Sequence, residues 1–482
     1  MPAPIPDPGK DLVVHWPRAT PAVPPLLKQL GARALLTDPD PLAAGLVEAC
    51  DAAGVALIAD LPAAADLNPL RAALESARSA GFTAAALRPA GDASAFGKLL
   101  ADSGGFAAIV FLTAEQIDQD VRPAQAVLRH GVWPGIAAGD TGAAGATESV
   151  WLDANSSLVA HLRALYPWRS AVLGYRPDKD GGVPETRSVP ARSAEVALAD
   201  AFSAGGHVVL SLHGDYRNGL LKGEQRALDA WKSLAEAHEF MRGARALADA
   251  PLAGRTAVLC GGIEETGEIL NLAFRKNLCP VAISAAAPPP LSTANFDVVV
   301  AANIELKPAV VENAARFAAS GGAVLAAPAG EEKSPWWTTR GWKRIHSEED
   351  RDLYAAGKGL VYGYHSLILD PGAFALDLKD AIARQSQPQG GLKNLDLRIW
   401  AADTVLGVLH RVSPSSVAVV LTAYGNLPRR DFLISVRGRY RRAAIREVGS
   451  PGARPVRLMP RAGRVEINLT QMSRVAIVTL EE

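Results

Sequence analysis

The first half of the chain repeats a couplet, a short apolar run followed by an amphipathic stretch. The apolar runs fall at 12–15, 34–37, 55–60, 83–87, 107–112, 132–137, 171–175 and 208–212. They are short and nearly continuous in apolar character, the pattern of strands buried on both faces. Between them, 24–30, 42–53, 70–80, 94–103, 123–129, 157–166 and 194–204 carry the spacing of helices with one apolar face, and a longer helix is expected at 224–247. Several of these helices run into a glycine just before the next strand, among them Gly31, Gly54 and Gly81, as a left-handed cap requires. Eight buried strands alternating with eight helices predict an α/β fold, a (β/α)8 TIM barrel over 1–250, with a doubly wound open sheet as the alternative.

From 251 the alternation restarts on a smaller scale. Strands are expected at 256–260, 281–284, 298–301, 323–326 and 359–364, with helices at 264–276, 308–320 and 374–384. That is a parallel α/β domain of the flavodoxin kind over 251–388. After the turn-rich 385–393, short and partly alternating runs separated by turn residues predict a β-sandwich over 389–482.

Composition narrows the function classes. Lys+Arg and Asp+Glu each number 50, so no excess of positive charge suits a polyanion, and no nucleic-acid partner is expected. The local basic cluster of Arg437, Arg439, Arg441 and Arg442 alternates like a solvated strand face. Cys50, Cys260 and Cys279 make neither a disulfide framework nor a metal signature, and no metal or cofactor is expected. No run of about 18 apolar residues predicts a membrane span. No signal peptide is visible, yet the Pro-rich opening has the look of a mature N-terminus. The expectation is a secreted or periplasmic protein, with a cytoplasmic one as the alternative.

Barrels do chemistry at the C-terminal ends of their strands. Standing there are His15, Trp16 and Arg18 after the first expected strand, Asp38 after the second, Asp60 at the third and Arg88 at the fourth. Tyr175 and Arg176 close the seventh, and His213 follows the eighth. A long Gly- and Ala-rich loop after 132–137 carries Glu148, Trp151, Asp153 and Asn155, and long loops at element ends often carry function. Carboxylates, aromatics and arginines together suit a polar, ring-shaped ligand, so a carbohydrate substrate is the expected partner. Hydrolysis of a glycosidic bond typically needs two carboxylates flanking it. Asp60, Asp153, Glu148 and Asp38 are the catalytic candidates. His15, Trp16, Arg88, Trp151, Asn155, Tyr175, Arg176 and His213 are the substrate-binding ones. Each has a bland alternative: Asp38 as a turn residue, Asp153 or Asn155 as a helix cap, Glu148 as a solvated loop carboxylate. Two other readings remain open. One is a His base with an Asp, His15 or His213 being the His; the other is a non-catalytic sugar-binding or assembly protein on a degenerate scaffold.

In the second domain, Cys260 after a strand and the downstream His346 and Glu348 resemble the triad of class I glutamine amidotransferases. The Gly-x-Cys-x-Gly elbow is missing, which marks a relict scaffold. The order of domains, with Gly357 to Tyr362 as the closing strand of the second and 405–411 followed by 417–424 opening the third, resembles glycoside hydrolases of the family 42 β-galactosidase type. That resemblance implies a catalytic barrel, an amidotransferase-like domain used in oligomer contacts and a small β-domain, and hence a homo-oligomer through the middle domain. Family 42 enzymes carry their acid in an Asn-Glu pair after strand four and a Glu nucleophile after strand seven. Here those places read Leu87, Arg88, Pro89 and Gly174, Tyr175, Arg176, so no catalytic residue carries over.

Overall fold

The structure is a computed structural model of the chain, and the residues described are 5–92, 96–136, 151–177, 183, 189–330, 335–385, 394–425 and 429–482. They divide into two compact units. The first takes the chain up to the loop after 136, Trp151–Asn155 and Tyr166–Arg245; the second takes Ser156–Leu165 and Ala246–Glu482.

The first unit is a closed barrel of eight parallel strands. Along the chain run β1 (Val13–His15), α1 (Val23–Leu30), β2 (Ala34–Thr37), α2 (Leu46–Ala53), β3 (Ala56–Ala64), α3 (Leu67–Ser79), β4 (Ala84–Pro89), α4 (Gly97–Asp102), β5 (Ala107–Leu112) and β6 (Gln125–Leu128). After these come β7 (Gly135–Ile136), β8 (Leu152–Asp153), α5 (Ser156–Leu165), β9 (Val172–Leu173), α6 (Ser193–Ser203), β10 (His207–Ser211), α7 (Gly214–Leu221), α8 (Gln225–Gly243) and the short α9 (Arg245–Asp249). The barrel closes in the order β1-β10-β9-β6-β5-β4-β3-β2, with Val13 paired to Val209 on one side and to Ala34 on the other. Gly31 and Gly54 end α1 and α2 at φ of 76° and 70°, the left-handed conformation that their lack of a Cβ permits.

The region of the sixth strand departs from expectation. The segment expected as a helix at 123–129 contains β6, whose Ala126, Val127 and Leu128 pair with Val110, Phe111 and Leu112 of β5. Burial against that neighbour outweighs the weak helix preference of so short a segment. Between β5 and β6 the chain makes only a 3₁₀ turn, Ala114–Gln116, in place of a full helix. The run expected as the sixth strand, 132–137, contains Pro134, which has no N–H for a central ladder. Of it, Gly135 and Ile136 pair, antiparallel to Leu152 and Asp153 in a separate two-stranded sheet. The helix expected at 157–166 forms as α5, but it packs on elements of the second unit instead of serving as a barrel helix.

In the second unit β11 (Thr256–Cys260), α10 (Ile263–Arg275), β12 (Pro280–Ser284), β13 (Val298–Ala301), α11 (Pro308–Ala319) and β14 (Ala323–Ala326) lead to β15 (Lys343–Ser347), β16 (Arg351–Ala356), β17 (Gly359–Tyr364) and α12 (Pro371–Arg384). The sheet runs β12-β11-β13-β14-β17-β16-β15. Its parallel part has the 2-1-3-4-5 order of flavodoxin-like sheets. The sequence did not announce the antiparallel pair β15 and β16, because every residue of β15 is exposed and no apolar run marks it. α5 lies against α10 and β12, and its His161 ring bonds the carbonyl of Gly261 at 2.9 Å.

The remaining strands, β18 (Leu397–Trp400), β19 (Val405–Ser413), β20 (Ser416–Ala423), β21 (Arg429–Arg437), β22 (Arg442–Glu447), β23 (Arg454–Pro455), β24 (Met459–Arg461), β25 (Arg464–Met472) and β26 (Val475–Glu481), form two sheets, β18-β21-β25-β24 and β19-β20-β26-β22-β23. Val419, Leu421 and Val478 of one sheet and Phe432, Ile434 and Ile467 of the other share one core, which also takes in Ala253 and Cys279. No helix among the described residues is long and apolar enough to cross a membrane.

Candidate active site

The barrel interior generates its own site. Alternate residues of a strand face the same way. Val13, Leu36, Ile58, Ala86, Val127 and Val209 belong to one buried cluster that fills the barrel. Two residues further on, toward the C-terminal ends, the same columns carry His15, Asp38, Asp60, Arg88, Arg129 and Ser211. The apolar filling is thus capped by a polar layer where barrel enzymes place their chemistry. In the β9 column the position after Val172 is Gly174, where a Cβ would strike Val127 and Phe111. The room it leaves is taken by the Phe111 ring, and the Arg88 guanidinium lies 4.5 Å from that ring's centroid.

Asp60 is the electrostatic centre of the layer. Its side chain is 3% exposed and pairs with Arg88, with His15 Nε2 at 3.2 Å and with Arg176 Nη2 at 3.6 Å. The His15 contact lies within ion-pair distance but is not aligned as a hydrogen bond, since Nε2 has no hydrogen-bond partner by angle. On its other side, His15 Nδ1 meets Ser211 Oγ at 3.0 Å. Burial pushes the His15 imidazole down from 6.5 to about 3, and Arg176, Arg88 and Arg217 push the same way against Asp38. His15 is therefore neutral at ordinary pH. With Nε2 facing a carboxylate, that nitrogen carries the proton and Nδ1 is left to accept from Ser211.

A cavity of about 300 Å³ opens on this layer, lined by His15, Arg18, Asp38, Arg176, Ser211 and Arg217 among others. Arg18 sits at φ 51°, a conformation uncommon for a residue with a side chain and often found where a site constrains the backbone. A larger cavity, about 560 Å³, lies at the opposite strand ends among Lys10, Asp120, Arg122, Gln125 and Trp168. Size favours it, but that end of a barrel serves stability, and the polar layer does not reach it. The mouth is the better candidate.

The expected site residues fall into three groups. His15, Asp38, Asp60, Arg88 and Arg176 converge at the mouth. Trp16, Asn155, Tyr175 and His213 are occupied within the protein. Trp16 is 2% exposed. Asn155 is fully buried; it accepts from Val132 N–H at 2.9 Å, donates to Val132 O at 2.8 Å and to Asp200 at 3.1 Å, and its own N–H donates to Asp200 at 2.8 Å. Tyr175 is buried edge-on to Trp133, with its phenol 3.4 Å from the Asn155 amide and pushed well above its usual range by that burial. His213 caps α7, accepting from Asp215 N–H at 3.3 Å. In the third group, Trp151 and Asp153 on the β7–β8 side pair with each other, indole N–H to carboxylate at 3.2 Å, and neither lines the mouth cavity. Glu148 lies outside the described residues. Ser211, Arg217 and Arg129 were not singled out from sequence. Counting in twos from Val209 would have found Ser211, and a correctly placed β6 would have found Arg129.

In the second unit the amidotransferase-like residues do not assemble. Cys260 is 1% exposed and burial pushes its thiol up to about 12. His346 and Glu348 are 3.6 Å apart, with His346 on the far edge strand of the same sheet. Among the described residues no group of three or more metal-binding side chains occurs.

No family model matches the chain. No curated protein matches it in sequence. Solved structures do match in fold. An alpha-L-fucosidase isoenzyme 2 from Paenibacillus thiaminolyticus is similar over 98% of this chain and 99% of that one, with a TM-score of 0.56 and 9% identity. An exo-beta-1,4-mannosidase from Opitutaceae bacterium strain TAV5 aligns with 78% of this chain and 94% of its own at a TM-score of 0.46 and 12% identity. The fucosidase likeness extends over nearly the full length of both chains, so the two share a fold. At 9% identity it speaks for the fold.

Proposed function

We propose that this chain is a carbohydrate-active, glycosidase-like protein whose site is the barrel mouth, with Asp38 and Asp60 as its pair of carboxylates. The observation that carries the reading is the polar layer itself: a cavity at the C-terminal strand ends, lined by His15, Asp38 and three arginines, directly above an apolar barrel filling. Asp38 is the carboxylate among the described residues that lines the cavity; Asp60 stands behind His15, held by Arg88 and Arg176. Arg18, Arg176 and Arg217 suit hydroxyls or the acid group of a saccharide. The family 42 likeness, the amidotransferase-like ancestry of the middle part, the division into domains at 250 and 388, and oligomer formation through the middle part belong to the same reading. The test is a panel of chromogenic glycosides, uronides and sialosides included, with Asp38→Asn and Asp60→Asn. Loss of about a hundredfold or more in both is expected on the best substrate. Parental rates in both folded variants would refute it.

One observation favours a non-catalytic binder instead. Asp60 is 3% exposed and already engaged by three cationic or imidazole partners, so it has little surface to offer a sugar. Saturable saccharide binding without turnover would decide for that alternative.

A further inference from the structure

Three buried or half-buried histidines outside the mouth behave alike. His161, His238 and His410 each place a ring nitrogen on a backbone carbonyl, those of Gly261, Leu30 and Ala250, at 2.9–3.0 Å. Such a bond occupies one ring nitrogen with the backbone and fixes packing. His15 is different, because one ring nitrogen meets a hydroxyl and the other a carboxylate, and both His15 and Ser211 line a cavity. Three strands supply the three groups, β1 and β10 from their last residues and β3 from its middle, and β1 and β10 are neighbours with His15 and Ser211 paired in register.

We propose that Ser211, His15 and Asp60 are nucleophile, base and orienting carboxylate of an acyl-transfer site, and that the chain hydrolyses O-acyl esters carried by a saccharide. The ester chemistry stands on the geometry of these residues; only the saccharide as carrier rests on the function proposed above. Nucleophile–base–orienter constellations are recognised by geometry and not by chain order, and they recur on unrelated folds. The serine–imidazole distance of 3.0 Å is within the productive range. The imidazole–carboxylate contact has the right length, and misaligned contacts of this kind commonly tighten when a ligand binds.

The steps balance without any partner beyond water. Ser211 Oγ adds to the ester carbonyl carbon as its proton passes to His15 Nδ1, and the carbonyl π pair becomes an oxyanion. Collapse re-forms the carbonyl and breaks the bond to the sugar oxygen, which leaves with that proton as a free hydroxyl. Water then adds to the acyl-serine and gives a proton to His15. The bond to Oγ breaks, Ser211 regains its proton, and the carboxylic acid departs. The arginines act on both halves of the charge. Burial first, and then Arg176, Arg88 and Arg217, make the resting imidazole a weak base. Arg176 and Arg217 also line the cavity where the oxyanion forms, and negative charge among them offsets the field that disfavours the imidazolium. The base is thereby strengthened as the transition state is reached.

The test uses the full chain and a fluorophosphonate, a serine-directed phosphorylating reagent, followed by intact-mass and peptide analysis. One adduct is expected, on Ser211, absent in Ser211→Ala and formed about a hundredfold or more slowly in His15→Gln. Release of acetate from p-nitrophenyl acetate and from an acetylated saccharide should fall in the same order. A folded parent that forms no adduct at Ser211 overturns the proposal, as does equal labelling of the parent and His15→Gln. The parent's adduct site is decisive even if a variant fails to fold. Glycoside turnover without an adduct removes this proposal and leaves the glycosidase reading standing; an adduct without turnover of any glycoside does the reverse.

Discussion

The depressed basicity of His15 makes the barrel acid-sensitive in a way that can be calculated. Folded, its imidazole binds a proton only near pH 3; unfolded, it does so near 6.5. Between those values the unfolded chain holds a proton that the folded chain refuses, so stability is intact above the unfolded value and is lost as pH falls toward the folded one. At a pH of about 4.5, roughly two units below the unfolded value and still above the folded one, the loss from this one group is ~2.7 kcal/mol. Other groups titrate in the same window. His161 and His238 are also held down by burial and act in the same direction. Asp396, pushed up to about 6 by burial, acts oppositely, because its folded form takes up a proton before the unfolded form does. The measurement is therefore a difference. Chemical denaturation at pH near 7 and near 4.5 is compared for the parent and for His15→Gln, which keeps an amide able to meet Ser211. The variant is less stable at neutral pH but should lose about 2–3 kcal/mol less on acidification. An acid loss equal in both proteins, or a His15 ring resonance that titrates near 6.5, would show that the imidazole is not held neutral by this layer.

Burial sets two more outcomes. Asn155→Ala removes the partner of the Val132 N–H and C=O and the side-chain bond to Asp200, leaving the bond from its own backbone N–H, so the barrel should lose about 3 kcal/mol and its calorimetric Tm should fall by on the order of 5–10 °C; a shift under about 2 °C would show that the knot contributes little. Cys50, Cys260 and Cys279 are all buried, and burial pushes the first two thiols up to about 12. Native protein at a pH near 8 should expose no thiol to a disulfide reagent, and denatured protein should expose all three; prompt reaction of any one in the native state would contradict the packing.

The barrel was legible because its strands are buried on both faces. Runs such as Ala34–Thr37 and Ala107–Leu112 show no alternation, and their shortness together with the glycines that precede many of them marks them as buried strands. Part of the site was legible for the same reason: His15, Asp60 and Arg88 terminate such runs. What failed was local. Gln125–Leu128 is too short for any period to identify, and only pairing with β5 makes it a strand. That single misplacement hid Arg129 and made the Trp151 and Asp153 segment an expected part of the mouth. The occupied residues Asn155 and Tyr175 were illegible in another sense. A polar side chain that serves the interior and one that serves a ligand look the same until its bonds are counted, and those of Asn155 run to positions 23 and 45 residues away.

The placement of α5 has a consequence for anyone who would take this protein apart. The chain enters the second unit at Ser156, returns to the first at Tyr166 and crosses again after Arg245, so neither unit is a continuous stretch of sequence. A fragment stopping at Arg245 would carry a helix with Ala160 and His161 stripped of their partners in the second unit, and a fragment starting at Ala246 would lack that helix. The two units are stitched along the chain rather than strung.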